Sequence, residues 1–429
     1  MRRKLIGIGI LVLVLVLLVT LMPACGGGGE DNGTTPTPGV TPKVTPGASP
    51  TPQAKTLKIG SMNILSGPAA AWGSSMDMGA TWAADDINAA GGMKVGKDIY
   101  MIKTVSCDTK LLGSVAATCA TQMVYDEGIH YIVGPIGTCD AIIPITEQGK
   151  CFFTGSAAPG CNGPEHPYFI EGIIYYKAWI TTLYQQVIEH HPEFKGQKWA
   201  VLSTDTNEQR QNVGYTVDAV KAVGMEVVAT EHYTYGTTDF YPILTRVLSK
   251  NPLIIEPPAS GGDAALITRQ ARDLGFTGWF VHPNWSPMDL LLNIVGLDNM
   301  YKIITTLPNF EGQYYSDAMH QLVKRYLAQK ARPGETAMPD TVVHGYSQMV
   351  MYKTAIEKAG SIDPAEVMKV FADPSFRYER YYHPDGALGG LETFGIRRQM
   401  THFNPYGEVV IEGGKAKVVQ MGGKVVLVP

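Results

Sequence analysis

The sequence has no excess of positive charge. Its 429 residues include 35 lysines and arginines against 39 aspartates and glutamates, which gives a formal net charge of −4. A protein that binds nucleic acid through the phosphates needs surplus cationic side chains to displace counterions, so this class is excluded. With 45% hydrophobic and only 17% charged residues, the chain is also too apolar to be disordered as a whole. It is long enough for two ordinary domains.

The motifs of common α/β enzymes are missing as well. The sequence contains no G-x-S-x-G nucleophile elbow, no P-loop ending in Gly-Lys-Ser/Thr and no H-E-x-x-H motif. It also lacks a C-x-x-C pair and a histidine cluster, which argues against a metal or thiol site. We therefore expect no catalytic residue, no metal and no cofactor, and an α/β enzyme is the least favoured function.

The first residues have the pattern of an export signal. Arg2, Arg3 and Lys4 precede an uncharged run at residues 5–22, and Leu21-Met22-Pro23-Ala24-Cys25 follows the pattern of a cleavage site. This segment resembles the bacterial lipobox, whose cysteine receives a diacylglyceryl group, although the proline departs from the small residue usual there. We expect residues 1–25 to be a lipoprotein signal peptide. The alternative is a plain transmembrane anchor, since 18 apolar residues are the lower limit for spanning; in both cases the folded part lies outside the cytoplasm.

Residues 26–55 are predicted to be a disordered tether. They are rich in glycine, threonine and proline and contain no aromatic residue. Such a segment cannot bury enough apolar surface to offset its ordering entropy. It would hold a folded domain, beginning near Thr56, close to a membrane while letting it turn.

The remaining chain alternates short apolar runs with helical periodicity. This alternation is typical of βαβ units and predicts an α/β fold with parallel sheets. Two such series, which break near residues 168–177, indicate two lobes. The candidate strands lie at residues 57–62, 99–105, 129–133, 151–154, 198–202, 225–229, 253–255 and 279–281.

Small, glycine-rich loops follow three of these strands, at residues 65–68, 134–140 and 155–159. They carry the hydroxyl groups of Ser66, Thr138 and Ser156. In open α/β sheets the ligand lies beyond the carboxyl ends of the strands, where amides at helix N-termini suit a carboxylate or another small anion. Each loop alone could be an ordinary turn, but the three together favour a binding site.

Residues 59–93 also carry short motifs in a fixed order. Together they resemble the opening of the leucine/isoleucine/valine-binding family of periplasmic binding proteins, and the resemblance extends from residue 56 to about residue 374. The matching segments are Ser66-Gly67-Pro68, Gly73, Gly79, Ile87-Asn88-Ala89-Ala90-Gly91-Gly92, Cys107-Asp108, Gly134, Thr238-Asp239-Phe240 and the predicted helix at 344–360.

The resemblance implies the type I periplasmic binding protein fold, with two Rossmann-like lobes joined by three crossing strands. The first lobe would contain residues 56–176 and 305–391, and the second residues 177–304 and 392–429. A ligand that contacts both lobes only when they are closed would shift the population toward closure. The implied function is that of an extracytoplasmic, lipid-anchored and monomeric solute-binding protein that delivers a small molecule to the permease of an ABC importer.

The family also implies positions for the ligand contacts of the first lobe. The ligand carboxylate is held by hydroxyls and amides in the loops after the third and fourth strands. Thr138 takes the first of these roles. The second falls to Ser156 with Ala157 or Ala158. Trp72 matches an aromatic residue of the first loop and would wall the pocket.

In the second lobe the family places an aromatic residue and an acid that pairs with the ligand ammonium. By spacing, these positions fall at about Glu208 and Asn284, so the acid is missing where it is expected, although Glu208 could supply one. Trp285 adds a large flat surface. We therefore expect an amino-acid-like or carboxylate/amide ligand, with a bulkier solute or one without an ammonium group also open. The alternative for Trp72 and Trp285 is packing in the rim of a lobe.

Five cysteines remain if the lipobox cysteine is modified, which fits an oxidising compartment. The family can carry a disulfide between the loops after the second and third strands, where Cys107 and Cys139 lie. Cys151 and Cys161 flank the fourth loop and could close it. Cys119 would then be left over, buried in its helix.

A ligand-sensing receptor module on the same fold is the alternative function. A receptor usually carries transmembrane and output segments in the same chain. This sequence ends at residues 424–429 with neither, so importer delivery is favoured.

Overall fold

Fifteen strands lie in the part of the chain that the structure describes. The computed structural model describes residues 54–67, 69–156, 161, 165–172, 176–257, 261–283, 288–306, 317–329, 338–379, 391–393 and 402–426. The strands are β1 Lys55–Asn63, β2 Met93–Val95, β3 Asp98–Asp108, β4 Tyr131–Ile136, β5 Phe152–Ser156, β6 Phe169–Glu171, β7 Lys198–Thr204, β8 Glu226–Tyr233, β9 Ile254–Glu256, β10 Trp279–His282, β11 Ile303–Thr306, β12 Arg377–Glu379, β13 Leu391–Thr393, β14 His402–Glu412 and β15 Lys415–Val426.

Eleven α-helices of the described residues connect or cover these strands. They are α1 Ala70–Ala89, α2 Gly113–Thr121, α3 Cys139–Gln148, α4 Tyr176–His190, α5 Asn207–Ala222, α6 Tyr241–Leu248, α7 Gly261–Asp273, α8 Met288–Val295, α9 Asp317–Gln329, α10 Asp340–Ala359 and α11 Pro364–Ala372. Within the described residues, no helix is both long and apolar enough to cross a membrane.

The first sheet has the strand order β2-β3-β1-β4-β5-β6. Its strands are parallel except for β2, which forms an antiparallel pair with β3. The predicted α/β fold is confirmed here. β1 begins at Lys55, so this residue belongs to the sheet and not to the predicted tether.

The second sheet has the order β15-β14-β11-β10-β9-β7-β8. Strands β7 to β11 are parallel, but β14 and β15 are antiparallel to their neighbours. Both sheets are therefore mixed: the predicted parallel strands form most of each sheet, and antiparallel strands lie at one edge. The reason lies in short connections: Gly413 and Gly414 both have positive φ and join β14 to β15 in two residues, which only an antiparallel pair allows.

Separate hydrophobic cores lie on the two sheets. One core combines buried side chains from residues 59–170 with others from residues 319–378. Two further cores combine side chains from residues 176–304 with Tyr406 and Val409. The chain thus leaves the first core after β6 and returns to it with α9, α10 and α11.

The crossing of α1 and α10 shows how closely the first core is packed. A β-carbon on Gly79 would overlap the carbonyl oxygen of Val342, and one on Gly345 would overlap that of Met76. Each helix therefore presents a glycine to the backbone of the other. This contact fixes α1, whose N-terminus lies beside the loop after β1.

Two disulfides join Cys107 to Cys119 and Cys139 to Cys161, while Cys151 is a buried free thiol. Both predicted pairings, Cys107 with Cys139 and Cys151 with Cys161, were therefore wrong. The bonded α-carbons lie 6.0 and 6.4 Å apart, within the range that a disulfide can bridge.

The sheet order explains the error. β1 lies between β3, which carries Cys107, and β4, which Cys139 follows; two strand spacings amount to about 9.6 Å, beyond the reach of a disulfide. Cys151 precedes β5 and Cys161 follows it, so these two residues lie toward opposite ends of one strand. The observed Cys139–Cys161 bond instead ties the start of α3 to the chain that follows β5.

Candidate functional site

Thr138 lies at the carboxyl edge of the first sheet, between β4 and α3. It occupies the N-cap position of α3 but makes no side-chain capping bond, and its Oγ1 has no hydrogen-bond partner within the described residues although the residue is only 4% exposed. A buried hydroxyl without a partner costs about 1–3 kcal/mol. This hydroxyl lies at a helix N-terminus, where the helix dipole favours negative charge, so it is a ready partner for an anionic group.

Glu208 reaches this loop from the second sheet. It lies in the first turn of α5, directly after β7. A β-carbon on Gly137 would lie 3.2 Å from Glu208 Oε2 and 3.1 Å from Leu111 Cδ1, so glycine leaves just enough room for both side chains. The structure thus brings Glu208, from the second sheet, against Gly137, the residue that precedes Thr138 in the loop of the first sheet.

The surroundings of Glu208 are acidic. The carboxylate is half-buried, and within the described residues no donor hydrogen-bonds it. Burial, and then the negative charges of Glu171 and Asp140, raise the pKa of Glu208 well above its ordinary value. A cationic group placed here would relieve this repulsion. Asp140 and Glu171 were not predicted, and nothing in their local sequence marks them.

A second contact between the two sheets lies nearby. Tyr235 follows β8 and reaches the backbone of Ala69, just before α1. Burial raises the pKa of the Tyr235 hydroxyl. The loops beyond both sheets therefore face each other on the side where Thr138 and Glu208 lie.

Ser66 and Trp72 lie in and after the loop that follows β1. Ser66 is exposed, and its hydroxyl donates to Asp108 Oδ2 at 2.5 Å, while the Leu65 amide donates to Asp108 Oδ1 at 2.8 Å. Partial burial alone would raise the pKa of Asp108, but these hydrogen bonds hold that pKa below its ordinary value. Ser66 therefore ties its loop to the end of β3. Trp72 lies half-buried in the first turn of α1.

Of the remaining predicted ligand residues, Ser156 is the one that the structure describes. Ser156 is the last residue of β5, at the same edge of the sheet as Thr138. Ala157, Ala158, Asn284 and Trp285 lie outside the described residues, as does the predicted lipidation site at Cys25.

A buried acid that sequence reasoning missed lies on the second sheet. Glu256, at the end of β9, is fully buried and accepts hydrogen bonds from Tyr184 Oη, from Trp199 Nε1 at 3.1 Å and from Thr216 Oγ1 at 3.4 Å. Burial raises the pKa of Glu256 well above its ordinary value. The hydrogen-bond donors to Glu256 within the described residues are all uncharged, so the cluster gives no indication of a catalytic role. These donors satisfy the carboxyl group.

Metal binding finds no support in the described part of the chain, where no three His, Cys, Asp or Glu side chains are grouped so that they could hold an ion.

A sequence model described as periplasmic binding protein matches residues 56–426. The chain belongs to the periplasmic binding protein family. Family members are binding proteins located outside the cytoplasm, and this periplasmic binding protein is not an enzyme.

Curated relatives of this periplasmic binding protein carry the names of amino-acid-binding proteins. The leucine-, isoleucine-, valine-, threonine- and alanine-binding protein of Pseudomonas aeruginosa is 24% identical over 345 residues, which cover 78% of this chain and 86% of that protein. The Leu/Ile/Val-binding protein of Escherichia coli is 25% identical over 322 residues, which cover 74% of this chain and 83% of that protein.

Solved structures show the same fold. The leucine binding protein LivK from Thermotoga maritima superposes with a TM-score of 0.70 at 18% identity, covering 86% of this chain and 98% of that one. An ABC-transporter solute binding protein from R. palustris, solved in complex with 4-hydroxybenzoate, gives a TM-score of 0.69 at 19% identity and covers 86% and 97%. The predicted type I periplasmic binding protein fold is thereby confirmed.

Proposed function

We infer that this periplasmic binding protein captures a small amino-acid-like solute, bearing a carboxylate or an amide, in a cleft between two lobes that close around it. The observation that carries this inference is the approach of Glu208, from the second sheet, to Gly137 in the loop of the first sheet that carries Thr138. Thr138 offers a buried hydroxyl at a helix N-terminus that has no partner within the described residues, and Glu208 offers an acid beside the further acids Glu171 and Asp140. A zwitterion is complementary to both.

The proposed first lobe contains residues 56–176 and 305–391, and the second contains residues 177–304 and 392–429, with a hinge of three crossing strands. The shared core of residues 59–170 and 319–378 supports this division, because it joins the two segments assigned to the first lobe. The second sheet draws its strands from residues 198–306 and 402–426, which supports the other lobe.

Delivery to the permease of an ABC importer is the proposed role of the closed form. Two relatives are named as binding proteins for branched-chain amino acids, and one solved structure is an ABC-transporter solute binding protein in complex with 4-hydroxybenzoate. These names support an ABC importer and a small solute with a carboxylate. The lipobox-like segment ending at Cys25 and the Pro-rich residues 26–54 support lipid anchoring near the membrane, and the anchored protein is proposed to be a monomer.

Thr138→Val tests the carboxylate anchor. The variant keeps the shape of the side chain and removes its hydroxyl, so the affinity for the amino-acid ligand found by thermal-shift screening should fall about 10- to 100-fold, as expected for the loss of a hydrogen bond to a charged group worth about 1.5–3 kcal/mol. Isothermal titration calorimetry on the purified full-length protein measures this change.

Thr121→Val is the matched control. Thr121 is exposed at the end of α2 and donates its hydroxyl to the Ala117 carbonyl, away from the proposed cleft. Its affinity should equal that of the wild type. If Thr138→Val binds the ligand as tightly as Thr121→Val does, the anchor is assigned to the wrong place.

A further inference from the structure

Asn212 is a fully buried amide without a partner in the described part of the chain. It lies in α5, is 1% exposed, and neither its Oδ1 nor its Nδ2 makes a hydrogen bond there. Proteins almost always satisfy buried polar groups, whether with other protein atoms, with water or with a ligand. Two orphaned atoms on one side chain therefore point to a partner that is not part of the described chain.

Asn212 lies one helical turn from the proposed ligand site. Glu208 precedes it by four residues, so their side chains share one face of α5 and their β-carbons are about 6 Å apart. Side chains of a helix lean toward its N-terminus, which directs the Asn212 amide toward Glu208 and toward the loop of Thr138. Asn212 is thus placed to touch a solute held between these two residues.

The next residue on the same face is already engaged. Thr216 follows Asn212 by four residues, and its hydroxyl donates to Glu256 at 3.4 Å. The row of polar side chains along α5 therefore ends in a satisfied cluster on one side and begins at Glu208 on the other. Asn212 is the member between them that has no partner of its own in the described residues.

The chemistry of the amide limits what can satisfy it. The Nδ2 group donates and Oδ1 accepts, so the complementary group must both accept and donate. A carboxamide does so in two parallel hydrogen bonds, and a hydroxyl group does so more weakly. An aliphatic side chain would leave both atoms unpaired. A carboxylate could only accept, so it would leave Oδ1 without a donor.

We propose that Asn212 is a specificity-determining residue that recognises a neutral, hydrogen-bonding side chain of the solute, with a carboxamide as the best match. This inference rests on the proposed function. The α-carboxylate of the solute lies at Thr138 and the start of α3, its ammonium lies at Glu208, and its side chain extends along α5 to Asn212. The solute is then a polar amino acid and not a branched aliphatic one.

Calorimetric titration of the full-length protein with near-isosteric amino acids tests this assignment. L-Asparagine and L-glutamine should bind at least tenfold more tightly than L-leucine and at least tenfold more tightly than L-aspartate and L-glutamate. Asn212→Leu should weaken carboxamide binding at least tenfold and remove the preference over L-leucine. Gln211→Leu is the matched control, because Gln211 is the exposed neighbour on α5, and it should keep the wild-type ratio.

The outcomes separate this inference from the proposed function. If L-leucine binds the wild type at least as tightly as the carboxamides and Thr138→Val weakens it, the function stands and the role of Asn212 is refuted. If Asn212→Leu keeps the wild-type ratio of carboxamide to L-leucine affinity, the role of Asn212 is refuted too. A bound water, and not the solute, would then satisfy the Asn212 amide in the wild type. If the wild type binds none of these amino acids, both proposals fall. The wild-type ranking needs no variant, so it is decisive even if Asn212→Leu does not fold.

Discussion

Gly345→Ala is expected to lower the free energy of unfolding by at least about 3 kcal/mol, a large effect for the addition of one methyl group. The added β-carbon would overlap the Met76 carbonyl oxygen and approach the Ala80 amide, both of which are backbone atoms of α1. Backbone cannot rotate away as a side chain can, so α1 and α10 would have to separate. Urea denaturation followed by tryptophan fluorescence measures the loss.

Gly214→Ala provides the matched control on another helix. Gly214 is exposed on α5, and a β-carbon there would meet no heavy atom within 4 Å. Alanine is favoured over glycine in helices, so this variant should be more stable than the wild type by about 0.5–1 kcal/mol. If Gly345→Ala unfolds at the same urea concentration as the wild type, the two helices do not cross as closely as described.

Glu256→Gln should make the protein progressively more stable than the wild type as the pH rises above about 4.5. Burial raises the pKa of Glu256 in the folded state above the ordinary value of 4.5. Below that value both states are protonated and the substitution changes little. Above it the unfolded chain loses its proton while the folded protein keeps it, so wild-type stability falls by up to about 1.4 kcal/mol per pH unit until the folded pKa is passed.

Glutamine cannot ionise, and it fits the same hydrogen bonds. Its amide oxygen can accept from Tyr184 and Trp199, and its amino group can donate to Thr216. The expected gain over the wild type at pH 7 is about 1–3 kcal/mol, obtained from urea midpoints measured at pH 5, 6, 7 and 8.

Glu226→Gln controls for the removal of a carboxylate as such. Glu226 is exposed at the start of β8. Its variant should show the same pH profile as the wild type. Parallel profiles for Glu256→Gln and the wild type would contradict the raised pKa of the buried acid.

Much of the fold could be predicted because local sequence patterns determine its strands and helices. Apolar runs and helical periodicity gave the alternation of strands and helices, and the loop after β4 placed Thr138 at the carboxyl edge of the first sheet. The carboxyl ends of parallel strands share one edge, so a loop position along the chain becomes a position in space. The two-residue turn at Gly413 and Gly414 was an available signal of antiparallel pairing that went unused.

The disulfides and the contact at Gly137 could not be predicted in this way. The pairing of Cys107 with Cys119 depends on β1 lying between β3 and β4, and strand order is set by packing across the whole sheet. The approach of Glu208 to Gly137 depends likewise on how two sheets face each other.

Asn212 and Glu256 were missed for a related reason. Polar residues within amphipathic segments are usually exposed, and only the packing of α4, α5 and the second sheet buries these two. The spacing of Glu208, Asn212 and Thr216 by four residues could have indicated a polar row on one face of α5. It could not have shown that this face is covered.

Hydrogen–deuterium exchange with and without a saturating ligand tests most directly whether one solute joins the two sheets. The amides of residues 137–141, around the start of α3, and those of residues 206–210, around the start of α5, should both become protected in the same experiment. Protection of only one of these segments, or of neither, would contradict a solute held between Thr138 and Glu208.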